Sequence, residues 1–314
     1  MKRKEATSHL RSEDPSSIRC PRYVHLPVPG ENFRRWGRFF LLIVAFFCGT
    51  FPGYGQQRPL VTEDVETVPS GSIRTEMGFD FEQSRNFPLS GLQGDLSRFA
   101  VVSVTAGLGS RVEVETGGVL LNHLRIDRQY RPSAIPLTVS GSSTRDIGDF
   151  FFATKVRLVE EGKRRPAMGM RMGAELPNSN QARGIGLNRM STFGTMLLGK
   201  TIGRWRLTGN LGMAIMQAPI DRFSQNDPLL YSAAVAYRWS KRLTLAGEWQ
   251  GRASLRQQTP IGTESEGVVR LGARIRAAGL MWDISTLRGY HPASPRTGIS
   301  FGVTYEGPFA LLFQ

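Results

Sequence analysis

The sequence predicts an all-β protein, a closed antiparallel transmembrane β-barrel of about twelve strands. Three observations predict it. Segments of about ten residues alternate apolar and polar side chains with a period of two, the period of a β-strand. The connections between them alternate short and long, as in barrels with short turns on one side of a membrane and longer loops on the other. Aromatic residues gather towards both ends of the segments, as two girdles at two membrane interfaces do.

The clearest element is the hairpin Leu229–Arg252. Tyr231, Ala233, Val235, Tyr237 and Trp239 share one face, and Ser232, Ala234, Ala236 and Arg238 the other. After the turn Ser240-Lys241-Arg242, the face Leu243, Leu245, Gly247 and Trp249 opposes Thr244, Ala246, Glu248, Gln250 and Arg252. Taken alone, this hairpin fits a soluble sheet better, because one barrel strand carries little signal. Repetition decides for the barrel.

In order, the first strand is Ser72–Glu82, with Ile73, Met77, Phe79 and Phe81 against Arg74, Glu76, Asp80 and Glu82. A polar loop to about Ser97 leads to Arg98–Leu108, a turn at Gly109-Ser110, and Arg111–Leu121, where Val112, Val114 and Leu120 oppose Arg111, Glu113 and Glu115. A long loop, about His123–Arg145, precedes Ile147–Val159, with Lys155 and Arg157 on the polar face. Glu160-Glu161-Gly162-Lys163 turns into the methionine-rich Ala167–Leu176. After the loop Pro177–Met190 comes Thr192–Ile202, whose two faces do not separate by pattern. Gly203-Arg204 turns into Trp205–Met216, and Pro219–Pro228 leads to the hairpin above. A loop at about Ala253–Glu266 precedes Gly267–Arg276, an arginine ladder of Arg270, Arg274 and Arg276. Leu280–Leu287 and Thr297–Glu306 complete twelve strands, with Gly307-Pro308 read as an interruption of the last. Closure into a barrel removes the sheet edges that lipid does not tolerate.

The N-terminus reads as an address. The basic run Arg34-Arg35-Trp36-Gly37-Arg38 precedes the apolar Phe39–Phe51 and then Gly53, Gly55 and polar Gln56-Gln57. That order predicts a secretory signal peptide within residues 1–55, cleaved near Gly55. Residues 56–70 are either a periplasmic tail or a plug entering the lumen, and 71–314 form the barrel. Cys20 and Cys48 both precede the cleavage site, so the exported chain has no cysteine chemistry.

The net charge is +14, of which residues 1–38 contribute +5, from nine Lys/Arg and four acids. The remaining cations are scattered along strands and loops, which argues against a nucleic-acid partner. With the apolar faces outward, the candidate pore-lining residues are Arg74, Glu76, Glu113, Glu115, Lys155, Arg157, Arg238, Glu248, Arg270, Arg274 and Arg276. The acid-rich first and third strands and the arginine ladder are expected either to brace the bore by pairing or to set a transverse field for a solute. No metal-ligand cluster, cofactor motif or nucleophile motif appears. His123 and His291, at loop-side strand ends, are the histidines downstream of the cleavage site, and no catalytic residue is assigned.

The stretch Arg58-Pro59-Leu60-Val61-Thr62-Glu63-Asp64, then Gly71 and Glu76-Met77-Gly78-Phe79, resembles a bacterial outer-membrane β-barrel family associated with the meta pathway of phenol degradation. The resemblance in residues covers about Arg58–Phe81. It implies a transporter-like channel for small solutes, aromatic or hydrophobic ones among them, in the outer membrane of a Gram-negative-type bacterium. Its partners would be outer-membrane lipids, the barrel-assembly machinery and a small-molecule solute. The chain departs from such barrels in ending Phe313-Gln314 rather than on an aromatic residue. The alternatives are a lipase-like barrel enzyme and a structural or adhesive surface barrel.

Overall fold

The computed structural model describes residues 58–221 and 223–308. The signal-peptide reading and the Phe313-Gln314 terminus lie outside the described residues. Twelve strands form the wall: β1 Ser72–Phe87, β2 Leu92–Gly107, β3 Val112–Gln129, β4 Phe150–Val159, β5 Ala167–Leu176, β6 Ser191–Ile202, β7 Trp205–Gln217, β8 Leu229–Arg238, β9 Leu243–Ala253, β10 Glu266–Ala277, β11 Leu280–Gly289 and β12 Thr297–Pro308. Each pairs antiparallel with its sequence neighbours, β7 with β8 included. β12 returns to β1, from Ser72 opposite Pro308 to Gln83 opposite Thr297. The barrel is therefore closed.

The alternation of side chains follows the pleat. Phe152, Leu211, Leu271, Ile284 and Ile299 stand exposed on the outer wall, while Arg74, Glu113, Lys155, Glu248 and Asp283 are buried within. An apolar exterior around a charged interior is the arrangement a membrane imposes on strands. Aromatic clusters mark both ends of the wall. Trp205 meets Tyr237 at 4.5 Å, and Tyr237 meets Trp239 at 6.1 Å, by the short turns. Towards the long loops, Phe79 and Phe81 stack on Phe301 at 5.3 and 6.0 Å, and Tyr231 packs on Trp249 at 4.7 Å.

Three expectations are corrected. The first long loop is absent: β1 and β2 extend past the expected ends and are joined by the four residues Pro88–Gly91. Residues 83–97 are largely polar, but they are paired, with Phe87 opposite Leu92 and Leu92 in turn opposite Gln129 of an equally extended β3. Polarity there reports exit from the apolar layer, not the end of the strand. The strict alternation of connection length fails there and at 160–166, which is as long as 290–296. Second, Gly307 and Pro308 do not interrupt β12, because they pair with Ile73 and Ser72 at the strand's end, where a missing N–H costs little. Third, β6 has two clean faces. Thr192, Gly194, Met196 and Leu198 face out, and Leu197 is fully buried with Val65 and Ala167. An apolar residue on the inner face hid the alternation.

A bulge re-aims β2. Ala100 has φ 54°, and the register with β1 shifts between Gly78 and Asp80. Beyond it the inward positions change parity, so Arg98 turns into the barrel and Phe99 out. The remaining loops are tied together over the long-loop end. Ser90 Oγ donates to Gly184 O at 2.7 Å, Thr138 N to Ala182 O at 2.9 Å, and Asn226 Nδ2 to Thr263 O at 2.9 Å.

Candidate functional site: the occupied lumen

Residues 58–69 run through the inside of the barrel. Their contacts reach strands all round the wall. Arg58 approaches Asp283 of β11 at 3.4 Å and Asp80 of β1 at 3.8 Å, and donates to Phe301 O of β12 at 3.2 Å. Leu60 packs on Ala234 and Ala246 of β8 and β9. The small inner face of that hairpin is the space this leucine occupies. Val61 N and Thr62 N both donate to Glu248 Oε2 at 2.8 Å, and so does Thr62 Oγ1. Arg270 of β10 pairs with the same carboxylate.

The next residues cross to the opposite wall. Glu63 and Asn210 of β7 exchange two hydrogen bonds, Glu63 N to Oδ1 at 2.8 Å and Nδ2 to Glu63 O at 2.9 Å. The Glu63 carboxylate lies 3.3 Å from Lys155 Nζ of β4 and 3.1 Å from Arg171 Nε of β5. Asp64 pairs with Arg206 of β7, and Glu66 with Arg157 of β4 at 2.6 Å. Val65 is fully buried against Leu197. Val68 N donates to Glu113 Oε2 of β3 at 2.5 Å, and Gly71 N to Gly107 O at 3.1 Å, where the chain enters β1. Gly107 is required there, because a Cβ would overlap the carbonyl oxygens of Val68 and Pro69.

Burial opposes the charge on Glu63, but Lys155 and Arg171 outweigh it and hold the carboxyl below its ordinary range. Asp64 follows the same balance, with Arg206 as the cation that prevails over burial.

The residues singled out by sequence divide into three groups. Lys155, Arg157, Glu113 and Glu248 hold the luminal segment directly. Glu76 accepts weakly from Arg58 N at 3.5 Å. Arg74, Glu115 and Arg270 are braced by wall partners: Arg74 with Glu306 at 2.9 Å, Glu115 with Arg171 at 2.9 Å, and Arg270 with Glu248. Arg238 and Arg276 are exposed at the short-turn mouth, at the ends of β8 and β10, while Arg274 is half-buried further in. The acids of β3 pair with Lys155 and Arg171 of the neighbouring wall, and β1 meets β10 across the bore through Arg85 and Glu266 at 3.2 Å.

No protein-family model matches the chain, and no curated protein matches it. Solved barrels do. An outer membrane channel from Pseudomonas putida F1 superposes with a TM-score of 0.54 at 15% identity, over 82% of this chain and 100% of that one. The translocator domain of the autotransporter NalP from Neisseria meningitidis gives 0.42 at 12% identity, over 87% and 95%. The toluene transporter TbuX of Ralstonia pickettii gives 0.38 at 9%, over 79% and 92%. At 15% identity, the first likeness is one of fold.

Sequence reasoning did not assign Arg58, Glu63, Asp64, Glu66 or Asn210 to the interior site. The first four lie in a segment without strand periodicity, whose place ahead of the first strand left it open as either a tail or a plug. Asn210 stood on the polar face of its strand without a charge to draw attention.

Proposed function

We propose that the chain is an outer-membrane channel that passes small solutes, aromatic or hydrophobic ones among them, and that residues 58–69 keep it closed at rest. The observation that carries this reading is the extended segment inside the barrel. A bore that admits a polypeptide segment is wide enough, once vacated, for a small solute. Twelve strands also fall between the filled eight-stranded and the open sixteen-stranded barrels. The grip on the segment is mainly polar and ionic. Such contacts can be exchanged for water, whereas a continuous apolar core would seal the barrel. In this reading the short turns face the periplasm and the long loops the exterior. A signal peptide delivers the chain, and the barrel-assembly machinery inserts it among outer-membrane lipids.

The test is single-channel recording in planar bilayers, together with liposome uptake of solutes graded in size and hydrophobicity. The expected result is brief, low conductance for the wild-type protein and higher conductance when the segment is loosened by Glu248→Ala. Absence of conductance and uptake in both proteins would favour a structural or adhesive barrel. The reading assigns no catalytic step. His123 lies opposite Arg145, and His291 lies against the Tyr290 ring at 5.0 Å. Phospholipid hydrolysis abolished by His123→Ala or His291→Ala would replace the channel reading with an enzymatic one.

A further inference from the structure

Between Val61 of the luminal segment and Pro295 of the β11–β12 loop lies a cavity of about 290 Å³. Four arginines line it, Arg85, Arg98, Arg252 and Arg270, against the two carboxylates Glu82 and Glu266. Both carboxylates are already shared. Glu82 takes Arg85 at 2.8 Å and Arg98 at 3.4 Å, and Glu266 takes Arg85 at 3.2 Å and Arg252 at 2.9 Å. Arg270 turns one nitrogen away to Glu248, and its buried Nε makes no hydrogen bond among the described residues. The cavity wall therefore carries more positive charge than its own acids neutralise. Leu230, Val268 and Leu287 make its β8–β11 side apolar.

We propose that this cavity binds a small organic carboxylate, its head on Arg98 and Arg270 and its apolar body against Leu230, Val268 and Leu287. A planar guanidinium with free donors matches a carboxylate in charge and in shape. Arg98 has those donors, because its one ion pair among the described residues is long, at 3.4 Å, and its side chain, a quarter of it exposed, lines the cavity. The volume equals that of roughly ten waters, which sets the size of the ligand at a single ring or a short chain. A neutral analogue would leave the spare donors of Arg98 unmatched, so the site discriminates by charge and not by shape alone. The inference deepens the channel reading by giving its solute a class. Binding, however, can be measured without transport.

The experiment is calorimetric titration of the purified full-length protein, in nonionic detergent, with cyclohexanecarboxylate and with cyclohexanecarboxamide. Saturable binding of the acid and none of the amide is expected. Arg98→Gln should weaken acid binding by about tenfold or more, the worth of one charge-assisted hydrogen bond, and Arg98→Lys should restore part of it. Equal binding of acid and amide, no binding of the acid, or an Arg98→Gln protein that binds like wild type overturns the proposal. If Arg98→Gln fails to fold, the acid–amide comparison on the wild-type protein decides. Binding of the acid without its uptake into proteoliposomes would leave the site standing and remove the channel reading.

Discussion

Replacing Glu248 by alanine should unseat residues 58–69 while leaving the barrel closed. The Glu248 carboxylate is fully buried. It accepts from Val61 N at 3.1 and 2.8 Å and from Thr62 N and Oγ1 at 2.8 Å, and it balances Arg270. Each hydrogen bond to a charged group contributes about 1.5–3 kcal/mol, but these share one carboxylate and do not add. Removing one partner of a buried pair costs about 3–5 kcal/mol, which bounds the whole effect. At 1.4 kcal/mol per tenfold, the seated state should lose a factor of about a hundred to a few thousand against the unseated one. The wall does not depend on this side chain. β9 is held by backbone pairing from Leu243 opposite Ile275 to Arg252 opposite Glu266, and by β8 on its other edge. Glu248→Gln keeps the shape and loses the charge, so its effect should be intermediate. A protease that cuts after glutamate reads the seating through Glu63 and Glu66, and single-channel open probability reads it independently. If Glu248→Ala resists cleavage and conducts like the wild-type protein, the argument that this carboxylate anchors the segment is wrong.

Leu211→Arg places a charge on the exposed outer face midway along β7 and should destabilise the barrel by about 2–4 kcal/mol in lipid vesicles; a neutral outcome in urea unfolding would mean that this face does not meet lipid. Gly107→Ala should loosen the entry into β1, because its Cβ would meet two backbone oxygens that no rotamer change can move; faster amide exchange at Val68 and Gly71 is the expected signature, and unchanged rates would refute it. The pH response follows from Glu63 and Asp64, whose carboxyls sit below their ordinary values in the folded protein. Their contribution to seating is complete above the unfolded value of about 4 and is lost as the pH falls through the depressed folded values. Channel current should therefore stay low from neutrality down to about pH 4 and rise only below it; opening already near pH 6 would contradict this balance.

The sequence by itself determined the wall. Period-two alternation in segments such as Leu243–Arg252 placed Leu245 and Trp249 outside and Glu248 inside, because successive side chains of a strand point to opposite faces whatever the strand's neighbours are. Strand number and closure followed from repetition and from the cost of an open edge in lipid. Strand ends at the long-loop side were not legible, since residues such as Arg85 and Asp95 are polar whether they pair beyond the apolar layer or lie in a loop. The parity change at Ala100 was equally hidden, because one extra residue in a strand leaves no mark on composition. Only the tertiary structure decided what fills the barrel. Residues 58–69 have no period, so nothing local ties Glu63 to Lys155 and Arg171, or Val61 and Thr62 to Glu248, across separations of about ninety to nearly two hundred positions. Those partners meet only once the wall has closed around the segment. Closure also gave meaning to two features that the pattern left unexplained, the small inner face at Ala234 and Ala246 under Leu60 and the inward Leu197 under Val65.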